Sequence, residues 1–154
     1  MTAEVTPHHL LINNENLDTT SGTYKMYPPI RSEEDRQSLI NGLKTGIIDT
    51  IATDHAPHPE VTKNVKFKKA ARGVVGLESA FPVLYSSNIF TLDELKIFLV
   101  EKPREILKNL GYEINEPFNN KWNEVTELFH TKSEYKNSAF ENCEVSIKKV
   151  DLYV

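Results

Sequence analysis

The chain has 154 residues, a hydrophobic content of 39%, a formal net charge of −4 and one cysteine. These figures exclude an internal disulfide, a charge-driven affinity for nucleic acid and, with no run near the roughly 20 apolar residues of a membrane span, a transmembrane helix. The start lacks a signal peptide's apolar core, the lone Cys143 agrees with a reducing cytoplasm, and no internal repeat is visible.

In chain order, residues 2 to 6 read as a strand, and residues 13 to 23, rich in Asn, Asp, Thr and Ser, as a loop. His8 and His9 tempt a reading as a zinc pair. Neighbours on an extended segment point to opposite faces, so a structural or supporting role is favoured. Ser32 starts a helix with Glu33, Glu34 and Asp35 in its first turn, where acidic groups suit the helix dipole. That helix turns Leu39, Ile40 and Leu43 inward and ends near Gly46. Gly46 to Thr53, short and rich in Ile and Thr, reads as a buried strand, and Pro57 forbids its simple continuation.

Directly after this strand stands Ala52-Thr53-Asp54-His55-Ala56-Pro57-His58. In a parallel barrel the active site gathers at the carboxyl ends of the strands, so an Asp there followed by a His-bearing loop reads as catalytic. The alternative is an Asp-His turn whose carboxylate accepts nearby backbone N–H groups, and the residues alone leave both open. His58, likewise, is either a loop histidine or a donor aimed into a pocket. Next comes a loop with Lys63, Lys66, Lys68, Lys69 and Arg72. A solvated basic loop is favoured over attraction of a dianionic substrate.

Glu78 to Tyr85 reads as a helix interrupted by Pro82. Thr91 and Glu94 make a capping box for a helix with Leu92, Leu95, Phe98 and Leu99 on one face. A further helix runs from Pro103 to Gly111. Asn115 to Asn123 reads as a linker, and Trp122 to Val154 as strands of a small β domain.

Four segments together resemble one family. The heptad at Ala52–His58 is similar to the last-strand motif of the class I dihydroorotases, zinc enzymes of the amidohydrolase superfamily. Thr2–Leu11 resembles that family's preceding strand and loop, Tyr24–Arg31 its Lys-Met-Asn-Pro-Pro-Leu-Arg segment, and Gly73–Ala80 its Gly-Ile-x-Gly-x-Glu-Thr-Ala segment. The resemblance is strong from Thr2 to about Gly111 and faint from Thr131 to Phe140. Hydantoinases usually carry Cys where Ala56 stands, and allantoinases Ser-Asp-His-Ser-Pro, so the heptad favours dihydroorotase.

The resemblance implies reversible, zinc-dependent cyclisation of N-carbamoyl-L-aspartate to L-dihydroorotate in pyrimidine biosynthesis, in the cytoplasm. It implies that Asp54 lies beside the metal and shuttles a proton, that His58 binds the substrate carboxylate, and that His55 stands behind the site. Tyr27, Arg72 and Gly73 fall at substrate-binding positions. Two of these depart from the family: Tyr27 replaces an asparagine that hydrogen-bonds the substrate, and Arg72 an aromatic residue. The His-x-His pair and middle-strand ligands of the family's zinc centre are not present among His8, His9, His55, His58 and His130.

A complete eight-stranded barrel takes about 250 residues. The chain is therefore expected to be the carboxyl-terminal portion of an α/β enzyme. Residues 1–114 would form the last strands and helices of a TIM (β/α)8 barrel, and residues 115–154 a linker and part of a small β domain. Alone, it is expected to bind no zinc tightly, to be inactive, and to self-associate or fold poorly, because the cut leaves strand edges unpaired. The full-length protein is expected to take a small-molecule substrate, as a homodimer or in a complex with aspartate transcarbamoylase. A non-catalytic assembly partner of that transcarbamoylase, and an allantoinase or hydantoinase, are the alternative readings.

Overall fold

The computed structural model describes residues 1–15, 17–20, 22–114, 126–130, 138–140 and 144–148. The expected linker and most of the expected β tail lie outside these residues. The first strand, β1, is confined to Glu4–Val5. A helix not expected from the sequence follows at once: α1, Pro7–Leu11. Its start signal is local. The Thr6 hydroxyl accepts the His9 N–H at 3.3 Å, and Pro7 occupies the first turn, where its missing N–H costs nothing. The extended reading of His8 and His9 is thereby corrected: on a helix the two rings lie side by side, 4.6 Å apart, with His8 buried.

Helix α2, Glu33–Lys44, begins with a reciprocal capping box between Ser32 and Asp35. Glu33 ties it to the preceding segment, accepting from Arg36 Nε, Gln37 Nε2 and Asn13 Nδ2, each at 2.7 Å. These bonds hold the Glu33 carboxyl down at about 2. Arg36 in turn donates to the Leu10 carbonyl at 2.9 Å, satisfying the open end of α1.

The expected strand from Gly46 to Thr53 is shorter than its composition suggests. Gly46, with φ of +76°, turns the chain, and only Thr50–Ile51 forms β2. This strand pairs in parallel with β1, Glu4 opposite Thr50 and Val5 opposite Ile51. After it come α3, Glu60–Lys63, and a single 3₁₀ turn at Phe67–Lys69.

Pro82 does not interrupt its helix. It is the third residue of α4, Ala80–Ser86, in the turn whose N–H groups have no intrahelical partner. Helices α5, Leu92–Lys96, and α6, Lys102–Asn109, are not separate either; a π turn at Ile97–Glu101 joins them. The cause is Pro103, which cannot donate to Leu99 and would clash with its carbonyl, so the preceding turn widens. The Lys102 N–H reaches back to the Ile97 carbonyl, which leaves the Phe98 carbonyl facing an imino acid. The Thr50 hydroxyl donates to that carbonyl at 2.7 Å and so fastens β2 to the widened turn. Gly111, at φ +87°, ends α6 as expected.

Val5, Leu10, Leu43, Leu84, Leu95 and Phe98 form the main apolar cluster. A second cluster joins Met26, Ile30, Val74 and Val83 to Ala139 and Phe140. The tail is anchored there: Val75 bridges Ser138 in parallel. Strands β3, Thr126–His130, and β4, Glu144–Lys148, pair antiparallel, and β4 lies against α4. Among the described residues no helix is long and apolar enough to cross a membrane.

Candidate active site

Asp54 follows β2 by three residues and holds a left-handed backbone, φ +47°. This conformation is uncommon for a residue with a side chain, is best tolerated by Asp and Asn, and recurs where the chain must aim a functional group. The carboxylate is exposed and makes no hydrogen bond or ion pair with another described residue. An Asp-His turn would have it accepting backbone N–H groups. The turn reading is therefore not the one this structure has.

Asp54 lines a cleft of about 540 Å³ together with Tyr27, His9, Arg31, Asp35 and Glu4. The wall carrying Tyr27 is held by His9. Its Nε2 donates to the Pro28 carbonyl at 3.0 Å, which leaves Nδ1 to accept the Thr6 hydroxyl at 2.6 Å. His8 does not face the cleft. It is 2% exposed, its Nε2 has no described partner, and burial, with the His9 ring beside it, pushes its pKa down to about 3. The structural role favoured for the His8-His9 pair thus falls on two different jobs, one packed and one pinning a loop.

His58, Arg72 and Gly73 form a second group, outside the lining of that cleft. His58 Nε2 donates to the Arg72 carbonyl at 2.7 Å. Gly73 sits at φ +117° and is packed so closely that a Cβ there would lie 2.6 Å from the Ala56 Cβ and 3.3 Å from His58 Nε2. Only glycine fits both the backbone and the space. One contact connects the two groups: the Arg72 guanidinium lies over the Tyr27 ring, 5.4 Å from its centroid. The two residues that depart from the resembled family therefore touch each other.

His55 stands to one side. Its Nδ1 accepts the N–H groups of Gly76 at 3.3 Å and Leu77 at 3.1 Å, and its backbone bridges Val74 in parallel. In the neutral ring these bonds place the proton on Nε2. This is a supporting position, aligning the Gly73–Leu77 segment with the end of β2.

The basic loop is not uniformly solvated. Lys66, Lys68, Lys69 and Arg72 are exposed, but Lys63 is 3% exposed and donates to three backbone carbonyls. Burial, and the nearby Lys25 charge, lower its pKa to about 8. Charge patterning treats the five cations alike, so nothing in the sequence separated this one. Arg31 in the cleft wall was visible in the sequence only as part of a longer segment.

A catalytic zinc centre takes about three protein ligands. Among the described residues no three His, Cys, Asp or Glu side chains converge in that way. Asp54 offers one carboxylate, and the described residues do not build a metal centre by themselves.

No family model matches the chain. It is 50% identical to the dihydroorotase of Listeria innocua over 112 residues, 70% of this chain and 26% of that protein. It is 53% identical to the dihydroorotase of a Geobacillus species (strain WCH70) over 109 residues, 68% of this chain and 26% of that one. Among solved structures it is similar to the L-hydantoinase (dihydropyrimidinase) of Arthrobacter aurescens, with a TM-score of 0.74 at 24% identity, over 94% of this chain and 36% of that one. It is also similar to the inactive dihydroorotase-like domain of a CAD-like multifunctional protein from Chaetomium thermophilum, with a TM-score of 0.59 at 19% identity, over 94% of this chain and 39% of that one. The fold is thus the one these solved structures share, and over 109 to 112 residues the sequence is about half identical to dihydroorotases, of whose length the chain spans 26%.

Proposed function

We propose that the chain is the carboxyl-terminal part of a dihydroorotase, a cyclic amide hydrolase on a TIM-barrel scaffold, with residues 1–114 closing the barrel and 115–154 belonging to a small β domain. The observation that carries this reading is the Asp54 carboxylate: exposed, free of described partners, aimed by a left-handed backbone at a strand end, and lining a cleft. In ring opening, a water oxygen bonds to the amide carbon, the C–N bond breaks, and one proton must travel from the water to the departing nitrogen. Asp54 is the group placed to carry it. A barrel enzyme's chemistry comes from the ends of several strands, so one carboxylate from this chain is what a partial barrel would contribute. The enzyme's zinc is part of the same proposal, with Asp54 as this chain's contribution to its surroundings.

His58, Arg72 and Gly73 are assigned to the substrate carboxylate and ring. With His58 Nε2 engaged by the Arg72 carbonyl, a carboxylate meets Nδ1, which donates only when the ring is an imidazolium. Arg72 adds a guanidinium, which lies over the Tyr27 ring.

The test is Asp54→Asn in the full-length protein, assayed for ring opening of dihydroorotate and of hydantoin. The expected result is preference for dihydroorotate and a loss of turnover of about 100-fold or more, the scale of a positioned acid or base. Near-normal turnover, or faster hydantoin opening, contradicts the assignment. One observation favours a second reading, a non-catalytic partner of aspartate transcarbamoylase. An exposed Tyr27 ring, covered by the Arg72 guanidinium, stands in the cleft wall where the resembled family has an amide, and an inactive domain is among the similar structures. Stoichiometric co-purification with that transcarbamoylase and no turnover would favour it.

A further inference from the structure

We infer that Lys63 is a positioning residue of the proposed site: by drawing three backbone carbonyls onto one ammonium, it fixes the strap Ala71–Gly73 against which His58 is set. The inference rests on the proposed reading of His58, Arg72 and Gly73 as substrate-binding.

An ammonium has three donors and no acceptor. Lys63 Nζ spends them on the carbonyls of Gly73 at 2.8 Å, Lys25 at 3.0 Å and Ala71 at 3.2 Å. Two of these flank Arg72, whose own carbonyl takes His58 Nε2 at 2.7 Å. Three consecutive carbonyls are thus each held by a side chain. Two N–H groups of the strap are engaged as well: Ala71 donates to the Thr62 carbonyl and Gly73 to that of Lys25, both at 3.0 Å. The Lys25 carbonyl therefore receives both the Gly73 amide and the Lys63 ammonium, which locks the 22–25 turn to the strap.

The approach is tight enough to need a glycine. A Cβ on Gly22 would lie 2.5 Å from the Lys63 carbonyl oxygen and 2.2 Å from the Ala70 Cβ. The tie is mutual, since Lys25 Nζ donates to the Lys68 carbonyl at 2.8 Å. An apolar side chain at 63 would take the ammonium donor away from the Ala71 and Gly73 carbonyls, and a carboxylate would repel them. Lys63 acts through the strap and has no described place in the cleft, so it positions rather than reacts.

The charged and titratable groups around it are Lys25 on the facing turn, His58 and Arg72 on the flanking segments, and Glu60 at the start of its own short helix. Burial and Lys25 lower its pKa to about 8. Above that pH a neutral amine has two N–H groups for three carbonyls, so the strap loosens on the alkaline side.

The experiment compares the full-length protein with its Lys63→Met variant by amide hydrogen exchange, read at Ala71 and Gly73 against α2 as reference, and by steady-state ring opening of dihydroorotate. Protection at Ala71 and Gly73 should fall about tenfold or more in the variant while α2 is unchanged, and in the unmodified protein it should fall as pH rises from about 7 to about 9.5. KM should rise about tenfold with kcat within about twofold, because the strap binds rather than reacts. Should Lys63→Met fail to fold, the pH series on the unmodified protein decides alone. Unchanged strap protection in the variant and across pH, or lost protection with an unchanged KM, overturns the inference. Lost protection in a protein with no ring-opening activity at all supports the strap assignment and overturns the proposed reaction instead.

Discussion

The apolar cluster beneath α1, α2, α4 and α5 and the longer strap region from Asp54 to Leu77, which contains Ala71–Gly73, are held by different forces. In the cluster, Leu10 and Leu84 are fully buried among Val5, Leu43, Leu95 and Phe98, and non-directional burial does the work. In the strap, side chains reach backbone groups one by one: His58 to Arg72, Lys63 to Ala71 and Gly73, and the Gly76 and Leu77 amides to His55. A cluster tolerates shape changes at a graded cost, whereas a strap of directed bonds aims groups accurately and fails bond by bond. The proposed chemistry sits on the second kind of structure.

The contrast can be broken most forcefully in the core. Leu84→Ala should cost about 2–5 kcal/mol, read as a lower urea midpoint, with exchange protection lost throughout. Leu77→Ala, at a side chain 63% exposed in the strap, should shift the midpoint by less than about 0.5 kcal/mol. Equal effects would remove the distinction. Gly73→Ala comes next. Its φ of +117° and the 2.6 Å approach of a new Cβ to Ala56 predict local strain of about 1–3 kcal/mol, seen as lost strap protection and raised KM.

What was legible in the sequence divides along the same line. Apolar periodicity and capping residues announced α2 and α5, and the heptad pointed to the Asp54 turn, because these signals are local. Thr6-Pro7 was a legible helix start that the strand reading overlooked. The joining of α5 to α6 was not legible, since a π turn depends on how Pro103 and Thr50 meet in space. Lys63 was hidden for the same reason: its three carbonyl partners belong to Lys25, Ala71 and Gly73, and no local pattern encodes their convergence. The contact between Tyr27 and Arg72, 45 residues apart in the chain numbering, is equally non-local.

Acid offers a finer test of the core. His8 titrates in the unfolded chain near 6.5 and in the folded protein at about 3. Between those values the unfolded state binds the extra proton, so stability falls as pH drops from about 6.5 toward 3, by up to about 1.4 kcal/mol per pH unit. His8→Leu should flatten that slope in urea melts run at several pH values, and an unchanged slope would place the acid sensitivity elsewhere. The smallest expected effect is at the rim. A double-mutant cycle on Tyr27→Leu and Arg72→Met should return a coupling of about 0.5–1 kcal/mol, the scale of an exposed cation–π contact. No coupling would mean that the two departures from the resembled family are independent.

On the proposed function, this chain supplies the Asp54 part of a cyclic amide hydrolase. The most direct measurement fuses the portion of the Listeria innocua dihydroorotase that precedes the matched segment to this chain, and follows zinc content and dihydroorotate ring opening with Asp54 and with Asp54→Asn. The expected result is a zinc-loaded chimaera that opens the ring and loses about 100-fold or more of its turnover on the substitution. A folded, zinc-loaded chimaera that is inactive, or equally active with either residue, would contradict it.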